Sequence, residues 1–129
     1  MNEVIYCQIL YAVVALLFNA TSFVRARIGL PAFTVTNPVR GLIMMLLVLI
    51  ITLSYPFMHG WIYIVGWIAL IIKIVPTGVV RHLKNIFVCK NTEKYSSSLI
   101  AYFAVAQNIF GMTIGAVGVF IAVSLKFSS

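Results

Sequence analysis

The sequence predicts an all-α integral membrane bundle of four transmembrane helices, with N- and C-termini on the non-cytoplasmic side. Three observations carry that expectation. Long apolar runs fall at about 4–24, 41–57, 61–78 and 99–125. A helix rising about 1.5 Å per residue needs roughly 20 residues to cross a ~30 Å hydrocarbon core, so these runs suit membrane spans. Hydrophobic residues make up 63% of the chain and charged residues 9%, whereas soluble domains run at about 45–50% and about 25%. Most of the nine lysines and arginines lie in the links between runs, where positive charge sets topology by staying cytoplasmic. The 129 residues read as a single transmembrane domain.

The first run follows Glu3 and has no Lys or Arg before it. It is longer than the roughly 7–15-residue apolar core of a signal peptide, so a retained helix is expected rather than a cleaved leader. Arg25 and Arg27 end it, and Gly29 and Pro31 punctuate the following link as a loop. Asn37-Pro38 supplies an N-cap and a first helical residue for the second helix, with Arg40 at its membrane boundary. Pro56 and His59-Gly60 close that run within a few residues of the third, which predicts an antiparallel hairpin. Tyr55, Trp61 and Tyr63 cluster at its turn, where amphipathic rings favour the membrane interface.

Pro76 and Gly78 predict the end of the third helix near residue 78. Within the polar link 79–98, Val79, Val80, Leu83, Ile86 and Phe87 are spaced for a short helix lying on the membrane surface. One of Ser96, Ser97 and Ser98 is expected to cap the fourth helix. The links 25–40 and 79–98 hold the positive charge, while the N-terminal tail and the hairpin turn hold none and the C-terminal tail only Lys126. Both links are therefore expected in the cytoplasm, on a multi-pass protein of a plasma, inner or organellar membrane.

The fourth run is free of charge over 99–125, and Gly111, Gly115, Gly118 and Ala122 form one stripe at helical spacing. Such small residues let a second helix backbone approach closely in lipid, which predicts a helix-packing interface, against either the other three helices of this chain or another subunit. On that basis the chain is expected to be a small non-catalytic membrane subunit, docking through its fourth helix into a larger complex or a homo-oligomer. Its partners would be membrane lipids and other subunits or copies of itself. The net charge of +7 does not call for nucleic acid, because its carriers sit where topology needs them.

Glu3 and Glu93 are the only carboxylate side chains, so paired-carboxylate acid–base chemistry has no material within one chain. No catalytic residue and no cofactor can be named. Lys73 lies within an apolar run, where an ionisable group is a functional candidate unless its stem snorkels to the interface. With Gln107, Asn108 and Asn19 it forms a candidate polar intramembrane site, or the amides act as interhelical glue, as Thr21 and Ser22 would. Arg25, Arg27, Arg40, Arg81 and Lys84 are candidate contacts for anionic lipid headgroups, at about 1 kcal/mol each near the surface. His59 and His82 fall at opposite ends of the expected bundle, as do Cys7 and Cys89. No metal site or disulfide is expected from them, and each histidine is read as a surface residue.

Phe23-Val24-Arg25-Ala26-Arg27 ends the first run and Phe110-Gly111-Met112 lies in the fourth. With these local echoes, the layout resembles that of the membrane-associated eicosanoid and glutathione metabolism (MAPEG) proteins. Those have four helices, two basic cytoplasmic links and both termini on the other side. The resemblance covers the layout of the whole chain but only scattered residues, and it implies an enzyme or a lipid-binding protein. That family's glutathione pattern places Asn and Glu four and seven residues after an Arg near the start of the second helix. Counting from Arg40, this chain has Met44 and Leu47, so the resemblance does not reach the glutathione site. A small oligomeric transporter or channel is a further class. It would line its path with Lys73, Gln107 and Asn108, the lysine favouring an anion.

Overall fold

The computed structural model describes residues 1–34, 36–90 and 92–128. The chain is helical almost throughout: α1 (Asn2–Arg27), α2 (Pro38–Leu53), α3 (Trp61–Ile74) and α4 (Ser98–Phe127). The helix boundaries follow local chemistry. α1 stops where Gly29 takes the left-handed conformation at φ 80° and the Leu30 amide donates back to the Arg25 carbonyl at 2.9 Å. At the start of α2 the Asn37 side chain accepts from the Val39 amide at 2.9 Å, with Pro38 as the first helical residue. Ser97 caps α4, accepting from the Ile100 amide at 3.2 Å.

Two expectations about the spans are corrected. Three helices are long and apolar enough to cross a membrane: Asn2–Arg27, Phe57–Val88 and Ser98–Phe127. The second run starts and ends earlier than the expected 41–57, because Asn37-Pro38 opens α2 and the helix ends at Leu53, where the Ser54 hydroxyl donates to the Ile51 carbonyl at 2.7 Å. Its 16 residues reach about 24 Å at ~1.5 Å per residue, short of a ~30 Å core. The chain then reverses through left-handed backbone at Met58 (φ 49°), His59 (φ 53°) and Gly60 (φ 76°).

The third helix does not stop near 78. It runs on from Ile74 through π-helical turns at Val75–Val80, an α turn at Arg81–Leu83 and a π-helical turn at Lys84–Val88. Pro76 has no N–H for the carbonyl four residues back, which in water would end a helix. Here the ladder widens to the π spacing, and the Thr77 hydroxyl donates to the Lys73 carbonyl at 2.7 Å. Both are ways in which a proline is tolerated in a membrane helix. Residues 79–88 are therefore a continuation of α3 rather than a separate surface helix. Ile86 joins Tyr95, Ala101 and Val105 in a small buried cluster with Leu83 against it, while Val80, Phe87 and Val88 stay exposed.

The main core is built from Tyr11, Ala12 and Ala15 of α1, Met45 and Val48 of α2, Tyr63, Ile64, Trp67 and Leu70 of α3, and Met112 and Ala122 of α4. Large apolar residues such as Leu17, Ile50, Ile72 and Phe120 point outward, the arrangement expected of helices solvated by hydrocarbon. The glycine stripe faces inward. Gly111 lies against the Tyr11 ring, Gly115 against the Trp67 indole, and Gly118 against the Tyr63 hydroxyl and the Gln8 amide, and a methyl group at any of the three would overlap its neighbour. Of the two partners open to this stripe, the helices of its own chain or another subunit, the three glycines meet the first. Three large side chains of α1 and α3 need a groove without Cβ atoms, and the stripe provides it within the chain. At the same level the fully buried Gln8 donates to the Tyr63 hydroxyl (2.7 Å) and the Ile114 carbonyl (3.1 Å).

Candidate functional site

α2 and α3 meet near their hairpin, where Gly66 lies against Ile51 and the rings of Tyr55 and Tyr63 pack edge-on with centroids 5.3 Å apart. Toward their other ends both helices line a cavity of about 510 Å³, within the ~300–1,000 Å³ typical of small-molecule sites. α2 contributes Arg40, Gly41, Ile43, Met44 and Met45, and α3 with its extension contributes Lys73, Ile74, Thr77, Gly78, Arg81 and His82. Ala15, Phe18 and Asn19 of α1 and Ala104, Gln107 and Asn108 of α4 complete the walls, and Thr34 and Thr36 of the first link also line it.

The walls close because two glycines admit two amides. Gly41 lies directly on the Asn19 side chain, and Gly78 faces the amide oxygen of Asn108. Asn19 donates its amide N–H to the Ala15 carbonyl and Asn108 to the Ala104 carbonyl, both at 2.8 Å. These donors are committed to their own helices. Gln107 Nε2 and Thr36 Oγ1, by contrast, are buried without a hydrogen-bond partner among the described residues. Gln8 Oε1, Tyr11 Oη, Thr52 Oγ1 and Trp67 Nε1 are buried in the same way elsewhere in the bundle.

Three cationic side chains, Arg40, Lys73 and Arg81, line the same cavity, and among the described residues no carboxylate does. Lys73, Thr77 and Arg81 all reach the cavity from one continuous helix, across the π-helical turns of Val75–Val80. That relation could be read from the sequence only by carrying the helix through Pro76. The four candidates Lys73, Gln107, Asn108 and Asn19 thus come together, joined by two of the five headgroup candidates, Arg40 and Arg81. The other three do not line the cavity. Arg25 donates to the Pro31 carbonyl at 3.1 Å and lies over the Phe33 ring, Arg27 lies over Phe23, and Lys84 is exposed.

A polar roof joins the two links at this end of the bundle. The Phe33 amide donates to Ser22 Oγ (3.0 Å), the Ser96 amide donates to the Phe33 carbonyl (3.1 Å), and Thr34 pairs with Tyr95 in an isolated antiparallel bridge. His82 was expected at the surface. It is instead buried, sharing a hydrogen bond between its Nδ1 and the Tyr95 hydroxyl. Phe33 also stacks on Phe18, whose ring touches Phe103. Sequence reasoning missed Thr36, Thr77 and His82, whose roles depend on the continuous third helix and on contacts between distant links.

His59 is exposed at the hairpin turn, and Cys7 and Cys89 are free thiols. Among the described residues no three His, Cys, Asp or Glu side chains come together. Comparison with protein-family models, with curated proteins and with solved structures finds no match to this chain, MAPEG proteins included, so the reading of the site rests on its own geometry.

Proposed function

We propose that this chain is a membrane-embedded binding protein for an anionic amphiphile, whose phosphate or carboxylate headgroup is held by Arg40, Lys73 and Arg81. The observation that supports this reading is the convergence of three cations on one cavity with no carboxylate opposite them. Three exposed cations lining the same cavity favour an anion there. Arginine offers a planar fork to oxyanions, and hydrogen bonds to charged groups contribute about 1.5–3 kcal/mol each. The positive-inside rule supports a cytoplasmic position for the basic links, and on this reading the headgroup belongs to the cytoplasmic leaflet. A subunit role has lost the surface that suggested it, since the glycine stripe is covered from within.

The test is lipid binding by the full chain in phosphatidylcholine nanodiscs doped with phosphatidic acid, read by native mass spectrometry. Lys73→Gln and Arg40→Gln should each weaken phosphatidic acid binding about tenfold, which corresponds to about 1.4 kcal/mol. Arg27→Gln, outside the cavity, should leave it unchanged. Equal binding by all three variants refutes the reading.

A further inference from the structure

Granted the anionic-headgroup reading, we propose that the occupant is a bilayer lipid that enters sideways between α2 and α3, and not a soluble anion arriving through the polar links. The wall residues are graded as an amphiphile is. On α2, Arg40 sits toward the links and Ile43, Met44 and Met45 follow toward the hairpin; on α3, Arg81 and Thr77 give way to Ile74. Lys73 lies deepest among the cations, and its long stem lets the ammonium reach up toward the other two. A free phosphate has no use for an apolar lower half, whereas the first carbons of an acyl chain would fill it.

The flank between the two helices is open below the level of the links, where the lining is apolar, while the link end carries the exposed cations Arg40 and Arg81. Ile43 is 54% exposed, and Lys73 and Thr77 are also exposed while lining the cavity. On the link side, Thr34 is buried in its bridge to Tyr95, and Tyr95 is tied in turn to buried His82. These contacts cover part of the link side, leaving Arg40 and Arg81 exposed beside them.

Locking the roof distinguishes the routes. In a Cys7→Ser, Cys89→Ser background, Thr34→Cys with Tyr95→Cys places two thiols on directly paired strands, with Cα atoms about 4.5–5.5 Å apart and within disulfide reach. Oxidised and reduced forms of this one protein are compared for binding of phosphatidic acid in nanodiscs and of glycerol phosphate and inorganic phosphate in solution. The expected result is phosphatidic acid binding within about twofold in both forms, no competition by either soluble anion, and at least a tenfold loss on Ile43→Trp without the lock. Tight binding of the soluble anions that the disulfide abolishes, or lipid binding indifferent to Ile43→Trp, overturns lateral entry and leaves the headgroup site standing. Loss of the Lys73→Gln effect on every probe refutes the headgroup reading, and lateral entry with it.

Discussion

At Gly115 the difference between a hydrogen atom and a methyl group decides whether α4 can close on Trp67. A Cβ there would overlap the indole ring, and overpacking of a filled core costs about 1–3 kcal/mol. Gly115→Ala should therefore lower the thermal midpoint in detergent, and Gly115→Leu should prevent folding. Gly29 makes the contrast: a Cβ there meets nothing within 4 Å, but its φ is +80°. Gly29→Ala should cost only about 1 kcal/mol, through backbone strain at the end of α1 rather than lost packing. The thermal midpoints of both variants in one detergent check this, and a smaller loss at Gly115 than at Gly29 would show that the stripe is not tightly packed. The stripe itself was legible, because spacing on a helix depends only on sequence. The side chains that cover it were not, because Tyr11, Trp67 and Tyr63 reach it from helices far away in the chain.

The π-helical continuation of α3 holds Arg81 and His82 at the cavity. Pro76→Ala returns an N–H to the ladder and favours ordinary α spacing, and losing one residue from a widened turn rotates everything beyond it by on the order of 100°. Amide exchange over 75–80 should slow in this variant while phosphatidic acid binding falls. Slower exchange with unchanged binding would mean that Arg81 is not positioned by the π turns. This element also shows what local reading misses. Asn37-Pro38, Ser97 and Gly29 mark helix ends through bonds to residues a few positions away, and these ends were legible. Pro76 and Gly78 read locally as a stop, whereas the Thr77 hydroxyl and the π spacing keep the helix going. Once the helix was cut there, Lys73 and Arg81 could not be placed on one helix, so the cavity's members were named without being joined.

Across the whole molecule, the roof ties the two basic links to one end of the bundle. Tyr95→Phe removes the bond to His82, worth about 1 kcal/mol. Amides over 31–34 and 93–96 should then exchange faster while the core amides of α1 and α4 do not change; uniform acceleration would mean that the roof is part of the global fold. The shortness of α2 has a consequence for the surrounding membrane. α1 has 26 residues and α4 has 30, against 16 in α2. Beside α2 the apolar band falls short of a ~30 Å hydrocarbon layer by roughly 6 Å, so lipid there is drawn thin to meet it. That dimple lies along one flank of the cavity and lowers the headgroup plane toward Arg40. Phosphatidic acid binding should accordingly be tighter in dimyristoyl than in dieicosenoyl bilayers, and the protein should sort toward thin membranes.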